Sequence, residues 1–348
     1  MSKTLQDLFG IDAPIVLGPF GGLSSIELTA AVSDAGGLGS YGLYGYSADR
    51  ISDTIAALRS ATPRPFAVNV WLPTGDEVAP PDVDLAPAIA AVAPLYHDLG
   101  LPRPTPPAEF LPDIDAQLTA ILDAAPAVLS VVFGVPSPHV IAAAHSRGIR
   151  VVGTATTVAE AVALAEGGVD AVIASGAEAA GHRVSFLRAA EDSLVGTFAL
   201  VPQVVDAVDL PVIAAGGIAD RRGVAAAFAL GASGVQVGTA FLRTRQSAAT
   251  EQHRRAIAAA ADSDTVLTRA MSGRLARGIP NRAMRAIETA GVIAPFPAQN
   301  WLTGGFRAEA GRRGDGDLVS LWAGQASALA SREEAADVFA ELAAGLPA

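Results

Sequence analysis

Residues 170–183 read D-A-V-I-A-S-G-A-E-A-A-G-H-R. The run 171–175 is apolar and short, as a buried strand should be. It then breaks into small residues that let a backbone approach a ligand closely, and it ends on His182. A buried strand that empties into a flexible, polar, histidine-bearing loop is the arrangement expected of an active site built at a strand end.

Working outward, segments of the same kind recur along the chain. Strands are expected at 13–17, 38–41, 66–71, 128–132, 150–154, 171–175, 212–215 and 234–237. Between them lie helical patterns: one capped by Ser24 or Ser25 and running to Ala35, then 49–60, 114–124, 138–147, 157–166, 198–208 and 220–230. Strands alternating with helices imply a parallel sheet wrapped by helices, and a count of eight favours a closed (β/α)8 barrel, the TIM barrel of the α/β class. A faint internal echo supports the repeat: A-L-A-E-G-G-V-D-A-V-I at 163–173 matches A-F-A-L-G-A-S-G-V-Q-V at 227–237, with Gly167 against Gly231.

Two regions depart from this rhythm. Residues 73–112 are rich in proline and acidic residues, with a short helix expected at 85–93, and read as an excursion from the barrel. After Arg245 the pattern becomes helical and arginine-rich (250–261 and 281–290), then Pro/Gly-rich (294–316), which marks a smaller, mostly helical inserted domain over 246–317. Residues 1–245 and 318–348 form the barrel, with 318–346 expected to be helical.

Composition narrows the function classes. Of the 348 residues 51% are hydrophobic, yet no apolar run reaches the roughly 18 residues of a membrane span, so no membrane partner is expected. The opening M-S-K-T-L-Q-D-L-F-G lacks an apolar signal region, which makes a cytoplasmic location the expectation. The absence of cysteine removes disulfides and thiolate chemistry. A net charge of −11 disfavours nucleic acid as a partner. The oligomeric state is not legible.

Candidate chemistry sits at strand ends. Ala214-Ala215-Gly216-Gly217-Ile218 closes the seventh strand and Val235-Gln236-Val237-Gly238-Thr239 the eighth. In a barrel these loops are neighbours on the catalytic face. There, glycines without Cβ atoms, free backbone N–H groups and the Thr239 hydroxyl suit a phosphate, whether of a substrate or of flavin mononucleotide (FMN). Asn69, alone in an apolar strand, offers a donor and an acceptor to a flavin edge, or is a core amide satisfied by its neighbours; the residues leave both readings open. Gly18-Pro19-Phe20 gives a flat wall for a ring. A free histidine titrates at about 6.5, so His182 is expected to be able to accept a proton near neutral pH. His97, His139, His145 and His253 fall on or near helices and are expected at the surface. No metal-ligand spacing occurs; Glu178 and His182 lack a third ligand.

The stretch S-G-A-E-A-A-G-H-R resembles the Q-G-x-E-A-G-G-H signature of the nitronate monooxygenases, formerly 2-nitropropane dioxygenases. The resemblance extends through A-P-I-V-L-G-P-F-G-G (13–22), P-F-A-V-N-V (65–70), V-V-G-T-A-T-T-V-A-E-A (151–161), P-V-I-A-A-G-G-I-A-D (211–220), V-Q-V-G-T-A-F-L (235–242), S-G-R-L-A-R (272–277) and L-W-A-G-Q-A (321–326). It implies an FMN-dependent (β/α)8 enzyme that oxidises alkyl nitronates, or nitroalkanes, with O2 to a carbonyl compound and nitrite. It implies His182 as the base, Asn69 at the flavin ring, Gly217 with Gln236, Val237, Gly238 and Thr239 around the phosphate, and 246–317 as the unit closing over substrate. Ser175 and Ala180 replace the signature's glutamine and a glycine, and with Gly181 they stand at the expected flavin contact. Alternatives are an NAD(P)H-dependent flavin reductase of the enoyl-acyl carrier protein or quinone reductase type, and a non-flavin barrel enzyme acting on a phosphorylated metabolite.

Overall fold

The computed structural model describes residues 4–347. Its main sheet comprises β1 (Ile15–Leu17), β2 (Gly39–Gly42), β3 (Phe66–Trp71), β4 (Val128–Val132), β5 (Arg150–Ala155), β6 (Ala171–Ser175), β8 (Val212–Ala215) and β9 (Gly234–Val237). A two-residue strand, β7 (Gly181–His182), lies outside it. All eight strands of the main sheet pair in parallel, in the order β1-β9-β8-β6-β5-β4-β3-β2. The circuit closes where Val16 bridges Leu38: Leu38 N–H donates to Ile15 O and Leu17 N–H to Leu38 O, both at 2.9 Å. This is a (β/α)8 barrel.

The two-residue period of the strands sorts their side chains. Even-positioned Val172 and Ala174 of β6, with Val68, Val70, Val151, Val212 and Val235, pack outward against the helices. Ala171 and Ile173, with Val16, Ala67, Val128, Val152 and Ile213, fill the barrel, and Leu5, Phe9 and Ile11 join that inner cluster. Continuing the inward series one step brings Asn69, Thr154, Ser175 and Gln236 to the C-terminal mouth, where with Ala215 they line a cavity. The polar residues of these strands thus stand one register step beyond the core.

Helices start where side chains can satisfy the first free N–H groups. Ser25 caps Ile26–Asp34, Ser47 caps Ala48–Ala61, Thr157 caps Val158–Glu166 and Asp220 caps Arg221–Ala229. Of the two serines expected to cap the first barrel helix, Ser25 does so, accepting from Leu28 N–H at 3.0 Å, while Ser24 bonds the backbone of Phe20 and Gly42.

The internal echo is real but one residue out of register. The helices 158–166 and 221–229 and the strands starting at 171 and 234 are 63 residues apart. Gly168 (φ +88°), rather than Gly167, therefore corresponds to Gly231 (φ +92°). Both are the left-handed residue that turns a helix toward its strand, a conformation glycine adopts at no steric cost.

A second apolar cluster joins the excursion to the later region. Val92, Leu95 and Tyr96 from the helix Ala86–Asp98, with its N-cap Leu85, pack with Met271, Met284, Ile287, Leu302, Phe306 and Leu318. Three sequence expectations change here. Residues 294–316, a Pro/Gly-rich stretch in which no particular helix is expected, contain the helix Ala298–Arg313, the longest described. Its Gly305 is not a turn residue: a Cβ there would lie 2.5 Å from the Tyr96 hydroxyl, so glycine permits the close crossing of two helices. Residues 318–346 are helical only at Ala335–Ala343; most of the rest crosses the barrel mouth in turns and short 3-10 segments. The mostly helical unit also contains β10 (Val266–Thr268) and β11 (Ala276–Gly278), which form a small antiparallel sheet with β7 of the barrel in the order β10-β11-β7.

Candidate active site

A cavity of about 380 Å3 opens at the C-terminal mouth of the barrel. Every residue singled out from the sequence lines it except Val237: Gly18, Pro19, Phe20, Asn69, Ser175, Ala180, Gly181, His182, Gly216, Gly217, Gln236, Gly238 and Thr239. Val237 is buried and acts through its carbonyl, which accepts from Gly18 N–H at 2.8 Å and ties the first loop to the last. A Cβ on Gly18 would lie 3.1 Å from the Gly238 Cα, so the two loops can touch only without one.

One end of the cavity is built from backbone. Gly216 (φ +99°) and Gly217 (φ +73°) both hold left-handed conformations, and Gly238 precedes the short helix Thr239–Leu242. The N–H groups of Gly217, Gly238 and Thr239 have no protein acceptor among the described backbone hydrogen bonds. The Thr239 hydroxyl accepts from Gly324 N–H at 3.0 Å and keeps its own proton to donate. Such a cluster of unclaimed donors suits an oxyanion such as a phosphate.

Glu178 stabilises this end from behind. Its carboxylate accepts from Thr197 N–H at 2.9 and 3.0 Å and from the Thr197 hydroxyl at 2.9 Å, capping the helix Thr197–Ala207, whose own N-cap, Gly196, has no side chain. Thr197 Oγ1 also lies 2.9 Å from Gly216 O, so the β6 and β8 loops are cross-linked. Arg183, almost wholly buried, donates to Ser175 O (2.9 Å) and Gly176 O (2.6 Å) and fixes the start of the β6 loop. Glu160, fully buried, holds the following segment by accepting from Thr156 N–H and hydroxyl and from the N–H groups of Phe186 and Leu187.

The other end is built from side chains. β7 pairs with β11, placing His182 opposite Ala276 and Gly181 opposite Arg277. The His182 Nε2 lies 2.7 Å from the Ser272 hydroxyl, while Nδ1 has no protein partner. Its ring meets Trp71 edge-on at 4.8 Å between centroids and Trp322 at 5.5 Å. Burial, reinforced by repulsion from Arg274 and Arg307, pulls its pKa down to about 3, so the imidazole is neutral at physiological pH. Tyr44 stacks on Trp71 at 4.2 Å and its hydroxyl accepts from Asn300 Nδ2 at 3.1 Å. Burial pushes the Tyr44 phenol up to about 12. Asn69 donates its amide to Ser130 O and Oγ, both at 3.2 Å, which leaves its Oδ1 without a protein donor.

Trp71, Tyr44, Ser272, Asn300, Arg307 and Trp322 were not singled out from the sequence. Trp71 and Tyr44 were findable, since both stand at or just past a C-terminal strand end. Asn300 and Arg307 are seven residues apart on one helical face, a signal masked by the prolines and glycines of 294–316. One expectation fails outright: His253 is buried rather than at the surface. Its Nε2 donates to Trp322 O at 2.9 Å, and burial lowers its pKa to about 4. His97, His139 and His145 are exposed as expected. Among the described residues no group of three or more His, Cys, Asp or Glu side chains could hold a metal ion, and no helix is long and apolar enough to cross a membrane.

A family model described as nitronate monooxygenase matches residues 2–345. A probable nitronate monooxygenase of Staphylococcus aureus (strain Newman) is 38% identical over 340 residues, covering 97% of this chain and 95% of that protein. Among solved structures, a nitroalkane oxidase from Streptomyces ansochromogenes superposes with a TM-score of 0.85 at 37% identity, covering 98% of this chain and 97% of that one. FabK from Thermotoga maritima gives 0.76 at 30% identity, covering 98% and 95%.

Proposed function

The chain belongs to the nitronate monooxygenase family, and from that premise we propose that it oxidises alkyl nitronates with O2 to a carbonyl compound and nitrite, using bound FMN. The observation that carries this reading is the two-ended cavity: unclaimed backbone donors at one end, and a neutral histidine among aromatic rings and arginines at the other.

The residues fit an FMN. Gly217, Gly238 and Thr239 would take its phosphate, with Gly216 and Gln236 beside them. Gly18, Pro19 and Phe20 would flank the ring, Asn69 Oδ1 would accept from a ring N–H, and Ser175, Ala180 and Gly181 would line the opposite edge. The bound flavin would supply electron transfer between substrate and O2. Trp71, Trp322 and Tyr44 wall the cavity end that holds His182 with aromatic rings.

His182 is the proposed base. With its proton on Nε2, toward Ser272, Nδ1 is the free acceptor. Forming an imidazolium beside Arg274 and Arg307 is unfavourable in the empty cavity, whereas an anionic substrate offsets that repulsion. The site therefore favours a substrate that arrives as an anion, a nitronate, over one that must lose a proton there. We further propose that residues 246–317 form the substrate-side unit, and that the excursion 73–112, which packs on it, belongs to the same functional unit.

The test is an absorption spectrum of the purified protein followed by anaerobic addition of a nitronate, with nitrite assayed after O2 is admitted. FMN released on denaturation, bleaching by nitronate and nitrite formation are expected. A colourless protein that binds phosphorylated metabolites would overturn the reading. Rapid bleaching by NADH or NADPH, with none by nitronate, would move the assignment to a reductase.

A further inference from the structure

Two arginines of the substrate-side unit influence His182, and their surroundings differ. Arg274 is neutralised: its Nη2 lies 2.6 Å from Asp76 Oδ1 and 2.6 Å from Glu77 Oε1, and its guanidinium rests on Phe133 and Phe296. Arg307 has no carboxylate within ion-pair distance among the described residues. It donates from Nη2 to Asn300 O (3.0 Å) and Oδ1 (2.8 Å) and from Nη1 to Ser320 Oγ (3.2 Å), all neutral acceptors. Its Nε is buried and has no partner at all. Of its five N–H donors, the Nε proton and one on Nη1 are therefore unclaimed. The residue lines the cavity that contains His182, and together with Asn300 it also lines a groove of about 640 Å3 formed with Tyr96, Arg103 and Trp301.

A half-buried cation held only by neutral acceptors is costly unless an anion completes it. Desolvation draws its pKa down to about 10, in the same direction as its lack of a carboxylate partner. Asn300 and Ser320 fix the guanidinium by three hydrogen bonds, so its charge is held in place rather than free to swing into solvent.

We propose that Arg307 is a specificity-determining residue that receives the anionic NO2 group of the nitronate, entering from the Tyr96–Trp301 groove, and so selects the nitronate over the neutral nitroalkane. This rests on the proposed nitronate activity. The guanidinium contributes a charge-assisted hydrogen bond to a group that is charged in the nitronate and neutral in the nitroalkane. Its effect falls on substrate binding and leaves the electron chemistry to the flavin.

The test compares wild-type holoenzyme with Arg307→Gln and Arg307→Lys, with exposed Arg312→Gln on the same helix as the control. Removing a charged donor should raise KM for a nitronate about 10- to 100-fold in Arg307→Gln while kcat changes little. KM for the parent nitroalkane should stay within a factor of about three, on the scale of a neutral hydrogen bond. Arg307→Lys should recover part of the loss. Inorganic nitrate, a planar anion, should inhibit the wild type competitively against nitronate and raise its thermal midpoint; both effects should vanish in Arg307→Gln and persist in Arg312→Gln. Unchanged nitronate KM and nitrate inhibition in a folded, flavin-loaded Arg307→Gln would overturn the inference. Were that variant unable to fold, a wild type indifferent to nitrate would overturn it instead. A wild type that stabilises on nitrate but turns over no nitronate would sink the proposed activity while leaving the anion site standing.

Discussion

The two ends of the cavity are built by different means. The donor end consists of backbone from the β8 and β9 loops, shaped by Gly216 and Gly217 in left-handed conformations that strain any other residue, and braced by Glu178 through Thr197. The His182 end consists of side chains brought from β3, β7, the loop before β11, the helix Ala298–Arg313 and the crossing segment at Trp322. Backbone geometry is written locally, in one or two residues; a side-chain constellation needs elements more than 200 positions apart to meet.

The predictions separate these two modes of construction. His182→Ala removes a single side chain from the constellation and should lower nitroalkane turnover by about 10²- to 10⁴-fold, the range for a general base. Nitronate turnover should fall far less, because its proton is already gone. Steady-state rates on the matched pair of substrates decide this, and equal losses on both would refute the base assignment. Gly216→Val attacks the backbone end. A side chain at φ +99° costs about 1–3 kcal/mol in strain alone, and its Cβ would lie 2.9 Å from Thr197 Oγ1. The expected outcome is protein purified without flavin and with a lowered unfolding midpoint. A yellow, normally stable variant would show that this end does not depend on the glycine.

Glu178→Ala is milder. Losing a helix cap costs about 0.5–2 kcal/mol, so the denaturant midpoint should drop with fold retained, and flavin affinity should weaken as the β6 and β8 loops lose their shared anchor. Urea unfolding with a parallel flavin titration measures both. If stability falls but flavin affinity does not, the bracing of the donor end is refuted.

The smallest effect is on acid stability. His253 and His182 have pKa values of about 4 and about 3 in the fold, against 6.5 when unfolded. Between those values the unfolded chain binds protons that the native protein refuses. Their contribution is therefore complete above about pH 6.5 and is lost as pH falls toward 4 and below. His253→Asn should flatten the dependence of the unfolding midpoint over pH 4 to 6.5 relative to wild type. An unchanged slope would mean that His253 takes up its proton without disturbing the fold. The same values predict no ionisation of His182 above about pH 4 in the free enzyme, so any neutral-pH break in kcat/KM must come from substrate or another group.

The barrel strands were legible because a buried parallel strand leaves a short apolar run between turn residues, and the eight runs coincide with the observed strands to within about two residues at each end. Asn69 was legible as a site residue because a polar group interrupts that pattern, whereas Ser175 and Gln236 stand out through the resemblance to the family's signature and phosphate loop. The helix Ala298–Arg313 was not. Its glycines carry the sequence signal of a turn, and only the neighbouring Tyr96 shows that Gly305 serves close helix packing. With it were lost Asn300 and Arg307. His253 was misread because the helix that carries it becomes buried only through a partner 69 residues away.

The sequence by itself therefore determined the barrel, the glycine loops and the histidine that faces them, since each depends on local periodicity or on a backbone conformation that one residue type permits. The tertiary structure alone decided which arginine is neutralised and which is left without a counter-charge. That distinction depends on which carboxylates the fold brings within a few ångströms of each guanidinium, and Asp76 and Glu77 reach Arg274 across nearly 200 residues while none reaches Arg307.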